Sequence, residues 1–319
     1  MDGFLSALGQ RLAERWLTLL VLPGALFLAV ATAARTLGQA HALDRDLLTD
    51  RITHWAQTPT ASSLGGQVIL LGAVLAGAAG AGLTAQGLGA LLQRTALAAD
   101  WYSWPNPARK CADTLVARRR ARWTAAADRY LRQLDADAHR LALHGRRADP
   151  APRRAAHHAM RRISAEMPYR PTWSGDRLHA VALRLEHDHH LDLPVVWPHL
   201  WLTLPETTRA EITTAEQALA RAATMAGWAL LYASLTMWWW PAAPLCAALA
   251  LTARFRLRAA ADTYAQLLSA AARLHATDLA IQLGIEHTGP LDRGLGDAIT
   301  EQLRTSSPHP RPPGGGPSP

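Results

Sequence analysis

Long runs of apolar residues interrupt this chain and predict helices that cross a membrane. A helix needs about 20 consecutive apolar residues to cross the hydrocarbon core of a bilayer. The runs are 16–34, 64–93, 222–240 and 241–255, with Arg254 as the only charged residue among them. The last two runs form one stretch, long enough for two short crossings. Proline ends helices and indole rings favour the headgroup region, so the sequence Trp238-Trp239-Trp240-Pro241 predicts the turn between them.

Apolar residues in the segments between the runs recur every three or four positions, which predicts amphipathic helices outside the membrane. Residues 112–146 form one long helix in this interpretation, with a coiled-coil-like apolar stripe. Gly145 is expected to end it, because glycine is common after the last helical residue. Shorter helices are predicted after Pro150 and from Ser174. The segment 191–205 contains three prolines and is predicted not to form a continuous helix.

The pattern as a whole predicts an all-α membrane protein with about four transmembrane helices. Residues 1–93 form an N-terminal membrane region, 94–204 an arginine-rich helical region, and 205–285 a long antiparallel helical hairpin that carries the third and fourth crossings. A short helix over 286–304 and a disordered tail over 305–319 complete the prediction, because the tail is rich in proline and glycine.

Two of these segments have alternative interpretations. The first apolar run could be a cleaved signal peptide, although it is longer than a usual signal-peptide core and acidic residues precede it. The segment 191–205 could be a packed connection beneath the helices. It could instead lie in the inner membrane interface, with Trp197 and Trp201 at headgroup depth. Trp238, Trp239 and Trp240 are predicted as anchors at the outer interface.

Charge sets the orientation of the predicted crossings. The net charge is +8, and the basic residues are nearly all arginine, with Lys110 the only lysine. Arginines follow the second and the fourth apolar runs, so both of these flanks should be cytoplasmic by the positive-inside rule. The sequence therefore predicts a protein of the inner (plasma) membrane with both termini in the cytoplasm. The two cysteines lie in different predicted regions and indicate no disulfide framework.

A dense group of arginines is the first candidate binding feature: Arg118, Arg119, Arg120 and Arg122. Next to a membrane, such a basic patch is predicted to meet anionic lipid headgroups, at about 1 kcal/mol for each charge near the surface. No nucleic-acid-binding motif accompanies the arginines, which argues against DNA or RNA as the partner.

A run of histidines and carboxylates, 186–192, is the second candidate. Imidazole and carboxylate groups are metal ligands, but neighbouring residues on a helix point in different directions and no metal-binding spacing is present. A solvated helix end is the preferred interpretation, and a metal-dependent enzyme the alternative. No catalytic residue, cofactor site or metal site is predicted.

The segment 171–178, Pro-Thr-Trp-Ser-Gly-Asp-Arg-Leu, is followed by Leu-Asp-Leu-Pro-Val-Val-Trp-Pro-His-Leu-Trp at 191–201. Together they resemble a pattern found in a family of uncharacterised multi-pass membrane proteins of actinobacteria and other bacteria. The similarity covers about residues 165–255. Trp173, Asp176 and His189–His190 depart from the family's pattern. The resemblance implies a membrane location and a helical architecture, and no activity.

These observations lead to a functional hypothesis of a non-enzymatic membrane scaffold or signalling component. It would assemble through its cytoplasmic helices, as a homo-oligomer or with a soluble protein partner. The alternative is a channel or pore-forming effector, since small residues of the second run, such as Ala78 and Gly82, have the spacing that lets helices approach closely. No predicted crossing carries a buried acid or base of the kind that marks ion paths, which favours the scaffold.

Overall fold

The computed structural model of the chain describes residues 21–57, 63–98, 101–145 and 149–305. Within these ranges it contains ten α-helices, one 3-10 helix (Trp101–Ser103) and no strand, so the predicted all-helical class is confirmed for this part of the chain. The helices are α1 (Leu22–Leu37), α2 (Arg45–Ala56), α3 (Leu64–Leu97), α4 (Asn106–His144), α5 (Ala151–Ile163), α6 (Trp173–His189), α7 (Leu193–Thr203), α8 (Glu206–Leu235), α9 (Ala242–Gln282) and α10 (Arg293–Thr305). The predicted tail after residue 305 and residues 16–20 of the first run lie outside the described residues.

Local sequence accounts for most helix ends. Gly145 follows α4 in the left-handed conformation at φ 64°, which glycine adopts without a steric cost, so the predicted end of this helix is confirmed. The Thr172 side chain caps α6 by accepting a hydrogen bond from the backbone N–H of Gly175 at 3.1 Å. The helix therefore begins at Trp173, one residue before its predicted start at Ser174.

Contacts group the chain into two compact units. Unit 1 comprises Met1–Arg94 and Leu219–Leu257, and unit 2 comprises Thr95–Ala218 and Arg258–Pro319. The long helices α3, α8 and α9 each contribute residues to both units.

Unit 1 is assembled on a face of small residues along α3. The buried positions Ala78, Gly82, Ala85 and Gly89 follow a spacing of four, three and four residues, which places them on one side of the helix. A Cβ atom on Gly227 of α8 would lie 2.2 Å from the carbonyl oxygen of Ala85. The two backbones are thus in direct contact, as is typical where small residues line a helix crossing.

The other face of α3 is apolar and exposed. On the side opposite Ala78 and Gly82, Ile69, Leu83 and Leu91 have 75%, 55% and 59% of their surface accessible. Residues Gly65–Leu97 are long and apolar enough to cross a membrane, with a mean hydropathy of 2.0 over an 18-residue window of which 17% is buried. Among the described residues this is the one helix that satisfies both criteria, and the apolar helix α1 is shorter. Of the four predicted crossings, one is supported in this way.

Unit 2 is built around an aliphatic core supplied by five helices. Its most deeply buried large side chains are Leu185 of α6, Val196 and Leu200 of α7, Ile212 of α8, and Ile299 of α10. Alanines of α9, including Ala272 and Ala276, complete it. The small side chains of α9 let its neighbours approach closely, so the core needs no aromatic residue at its centre.

The proline-rich segment 191–205 corrects one prediction, because Leu193–Thr203 is a continuous α-helix. Pro194 lies in the first turn, where a helix has no acceptor for the missing N–H. Pro205 comes after the helix has ended at its C-cap, Leu204. Only Pro198 is internal, and the burial of Val196 and Leu200 in the core of unit 2 offsets its lost hydrogen bond.

Candidate basic surface

The four arginines of the predicted basic patch have two different environments on α4. Arg118 and Arg122 are exposed, whereas Arg119 and Arg120 are partly buried. Arg120 donates from Nε to the carbonyl oxygen of Pro168 at 3.0 Å. Only two of the four guanidinium groups therefore remain exposed for a lipid headgroup.

Arg119 is part of a buried network centred on Asp176, which has 4% of its surface exposed. The guanidinium of Arg119 donates from Nη2 to Oδ2 of Asp176 at 2.6 Å. The backbone N–H groups of Tyr169 and Arg170 donate to its Oδ1 at 2.8 and 2.6 Å. One of these charge-assisted hydrogen bonds joins α6 to α4, and the other two hold the loop before α6 against the first turn of α6.

The neighbouring residues of the same motif bind the end of α3. Arg170 donates from Nη1 to the carbonyl oxygen of Leu97 at 2.9 Å, and the Thr172 hydroxyl donates to the carbonyl oxygen of Ala96. A Cβ atom on Gly175 would lie 2.6 Å from the Leu97 oxygen, so only glycine fits there. The segment 171–178 therefore joins the end of α3 to α6 within unit 2. The carbonyl oxygens of Ala96 and Leu97 can accept these bonds because the last carbonyl groups of a helix have no partner inside the helix.

A second group of basic residues surrounds Trp173, at the start of α6. It lines a pocket of about 370 Å³ formed by His158, Arg161, Arg162, Trp173 and Arg258. We call this the Trp173 pocket. The guanidinium of Arg258 lies over the indole ring at 4.5 Å from its centroid, in a cation–π contact. No sequence pattern predicted this pocket, because its members come from three helices.

Helix α5 presents most of this charge. Its sequence Ala-Pro-Arg-Arg-Ala-Ala-His-His-Ala-Met-Arg-Arg-Ile contains four arginines, two histidines and no acidic residue. Arg153 faces α4, where it lies 3.6 Å from Asp137, and the His157 ring lies 5.1 Å from the Tyr130 ring. Arg154, Arg161 and Arg162 are exposed. The helix is thus held on α4 by one side and presents a basic side to solvent.

The predicted inner-interface anchors, Trp197 and Trp201, are partly buried against the core of unit 2. Their rings lie 5.9 Å apart in a tilted arrangement. Leu202 beside them is 76% exposed, so the surface of α7 outside the core is apolar at that point. The interfacial role of Trp197 and Trp201 stays a prediction.

The predicted outer-interface anchors lie in the turn 236–241, between α8 and α9. Trp238 and Trp240 are 54% and 50% exposed. Trp239 is partly buried and donates from Nε1 to the carbonyl oxygen of Ala42 at 2.8 Å. Two of the three indole rings therefore face outward, while the third fixes the turn to the segment after α1.

Gln39 holds the same turn and was missed in the sequence. Its Nε2 donates to the carbonyl oxygens of Thr236 and Met237 at 3.0 and 3.2 Å, and its Oε1 accepts the N–H of Trp240 at 3.1 Å. The side chain satisfies backbone groups that the end of a helix leaves unpaired. No local signal marks a glutamine for this role, because its partners lie about two hundred positions away.

The histidine and carboxylate run 186–192 is divided among several ion pairs. Nδ1 of His190 lies 2.9 Å from Oδ2 of Asp297, Asp188 lies 3.4 Å from Arg273, and Asp192 pairs with Arg304. Within the ranges that the structure describes, no group of three histidine, cysteine or carboxylate side chains could hold a metal ion. These residues mainly connect α6 to α9 and α10.

His179 of α6 is the described histidine with a perturbed pKa. Burial lowers its pKa below the ordinary value of 6.5, and the guanidinium of Arg170 lowers it further. Because the unfolded chain then binds the proton more tightly than the folded protein, acid favours unfolding. The contribution of this residue to stability is complete above pH 6.5 and is lost as the pH falls through the lowered folded-state value.

We therefore expect the thermal midpoint of the protein to fall on acidification below about pH 6.5. The His179→Gln variant should lose less stability over the same range, because it cannot be protonated. The measurement is the midpoint of thermal unfolding at several pH values for both proteins. A matched variant of an exposed histidine, His139→Gln, should behave as the unmodified chain does. Identical pH dependence in all three proteins would contradict the prediction.

Comparison of the chain with protein-family models, curated proteins and solved structures finds no match in any of the three.

Proposed function

We propose that this chain is a multi-pass protein of a bacterial inner membrane. It would act as a non-enzymatic scaffold or signalling component that assembles through the helices of unit 2. The exposed aliphatic face of α3 is the observation that carries this proposal. Its side chains include Ile69, Leu83 and Leu91, each at least 55% exposed.

That face is difficult to reconcile with a water-exposed surface. Burying apolar surface contributes about 25 cal/mol for each Å² removed from water. Contiguous exposed apolar patches larger than a few hundred Å² are rare on soluble monomers and mark membrane or protein contacts. A helix with 34 residues, closely packed by small residues on one side and aliphatic on the other, suits a bilayer.

The proposed topology has four crossings, two in the N-terminal region and two in an antiparallel hairpin of α8 and α9. Both termini and unit 2 would be cytoplasmic, with the turn 236–241 outside. The exposed indole rings of Trp238 and Trp240 support an interfacial position for this turn. Arg118 and Arg122 would then contact anionic headgroups on the cytoplasmic side. The resemblance to multi-pass bacterial membrane proteins favours the same arrangement.

A partner surface for the scaffold is offered by α4. This helix has 39 residues and leaves Leu131, Leu141 and Leu143 at 53%, 46% and 65% exposure among charged neighbours. Apolar side chains on a charged helix are the usual contacts of coiled-coil-like association. A second copy of the chain or a soluble helical protein could cover them.

Accessibility labelling tests the topology. In a variant lacking Cys111 and Cys246, single cysteines would be introduced as Trp240→Cys and Arg154→Cys, both at exposed positions. A membrane-impermeant maleimide applied to intact cells should label the first and spare the second, and both should react after lysis. Labelling of Arg154→Cys in intact cells would contradict the topology. Release of the protein from membranes by alkaline carbonate would contradict membrane integration.

A flux measurement distinguishes the scaffold from the alternative, a channel or pore. The purified protein in liposomes should leave an ion gradient intact if it is a scaffold. The small residues of unit 1 pack against helices of the same chain, as in the contact of Gly227 with Ala85. They are therefore not needed for packing between subunits, which favours this outcome. Ion flux that requires the protein would instead support the channel.

A further inference from the structure

We propose that the Trp173 pocket binds a phosphate group. The pocket is formed by the last turns of α5, the first residue of α6 and Arg258 of α9, all within unit 2. The phosphate would belong either to a lipid headgroup or to a free phosphate compound. This inference does not depend on the membrane proposal, because the pocket is complete in unit 2 alone.

The Trp173 pocket is lined mainly by basic side chains. Three of its five lining residues are arginines, one is His158, and none is acidic. No ion pair among the described residues involves Arg161 or Arg162, and both are exposed. Like charges that converge on a small concave site raise the local positive potential, and a bound anion relieves their repulsion.

One arginine of the pocket, Arg258, is already held in place. Arg258 lies over the Trp173 ring at 4.5 Å and donates from Nη2 to the carbonyl oxygen of Arg162 at 3.5 Å. A guanidinium group fixed by a ring and a carbonyl loses little freedom when it binds a ligand.

A cavity that adjoins the Trp173 pocket contains an acidic residue, Asp262. Arg161 and Trp173 also line this smaller cavity of about 230 Å³ with Arg177, Asp262 and Gln266. Arg177 is neutralised there by Asp262, at 2.5 Å. The acidic residue is thus committed to its own partner, and the adjacent pocket keeps its positive charge.

The chemistry of the site favours phosphate over a carboxylate. Arginine forks match carboxylate and phosphate oxygens alike, but the oxygens of a phosphate do not lie in one plane, so several guanidinium groups can bind them from different directions. Arg161, Arg162 and Arg258 approach from two helices, so a tetrahedral anion can be contacted from more than one side.

Isothermal titration of the purified full chain in a maltoside detergent, which carries no phosphate, tests this inference. The probes are inorganic phosphate and a soluble short-chain phosphatidylglycerol. We expect at least one to bind, and the Arg161→Gln/Arg162→Gln variant to bind at least about tenfold more weakly, because hydrogen bonds to charged groups are lost. Arg154→Gln is the matched control on the same helix, since Arg154 is exposed and does not line the pocket.

The two probes distinguish the source of the phosphate. Binding of inorganic phosphate assigns the site to a free phosphate compound, whereas binding of the lipid alone assigns it to a headgroup, and both outcomes support the pocket. Lack of binding by both probes would overturn the proposal. Equal weakening by Arg154→Gln would overturn it too, because binding would then follow the net charge of α5.

Three further variants keep the proposal testable if the double substitution unfolds α5. Arg258→Gln leaves that helix unchanged and should also weaken binding. Trp173→Phe retains a ring beneath Arg258 and should bind more tightly than Trp173→Leu, which removes it. Unchanged affinity in Arg258→Gln and in Trp173→Leu, with circular dichroism like that of the unmodified chain, would show that the pocket is not the site.

Discussion

The Asp176→Ala variant is expected to lose about 3 kcal/mol or more of stability in unit 2, because it removes one partner of a buried ion pair. The carboxylate accepts hydrogen bonds from Arg119 and from two backbone N–H groups, at 2.6 to 2.8 Å. Its side chain is 3% exposed and that of Arg119 is 20% exposed. Alanine would leave both N–H groups without this acceptor, and the guanidinium of Arg119 would lose its charged partner while keeping the carbonyl oxygen of Ile163.

Denaturant unfolding of the variant, followed by circular dichroism, measures this loss. Glu166→Gln is the control, because Glu166 pairs with Arg184 at 3.0 Å in the same unit but both side chains are well exposed. Exposed pairs contribute about 1 kcal/mol or less, so the control should change little. If the two variants lose equal stability, the Asp176 network does not hold unit 2 together.

A double-mutant cycle with Arg119→Met separates the pair from the rest of the network. The double variant should be less destabilised than the sum of the single ones, because the two residues share a hydrogen bond. Additive losses would indicate that Asp176 acts through the N–H groups of Tyr169 and Arg170. Either result identifies which contacts of Asp176 stabilise the fold.

The second large effect is expected from Gly227→Ala in unit 1. The new Cβ atom would lie 2.2 Å from the carbonyl oxygen of Ala85 and 3.0 Å from the amide nitrogen of Gly89. Both are backbone atoms, so α3 and α8 must separate to admit a methyl group. Overpacking of this kind costs about 1–3 kcal/mol, and loss of the close packing between the helices adds to it.

Gly87→Ala on α3 is the matched control, because a Cβ atom there meets nothing within 4 Å. In a helix, alanine is favoured over glycine by about 1 kcal/mol, so the control should be neutral or stabilising. The thermal midpoint of each variant in the same detergent gives the comparison. Equal midpoints for the two variants would mean that the crossing at Gly227 is not tightly packed.

Several elements could be predicted from local sequence because their causes are local. The periodic apolar positions predicted α4, and Gly145 predicted its end, where a left-handed residue is required. The apolar run 64–93 predicted α3, which extends to Leu97. The prolines of 191–205 were misleading, because only Pro198 lies inside α7 and the buried core of unit 2 outweighs its effect.

The candidate surfaces were less predictable than the helices. The run Arg118–Arg122 looked like one basic patch, but helical rotation and the carboxylate of Asp176 draw Arg119 inward. The absence of acidic residues from α5 was a usable sequence signal for the Trp173 pocket. Arg258, which completes that pocket, is 85 positions from Trp173, and no sequence periodicity relates them.

The sequence by itself determined the helical class, the positions of most helices, and the apolar character of α3, because these follow from interactions among residues a few positions apart. Only the tertiary structure decided which charges face solvent, since that depends on partners such as Asp176 and the carbonyl oxygen of Pro168. It also decided which small residues lie in a helix–helix contact. Ala78, Gly82, Ala85 and Gly89 face neighbouring helices, whereas Gly72 and Gly80 meet open space. Glycine and alanine occur on both sides of α3, and the packing partners decide which of them lie in a helix–helix contact.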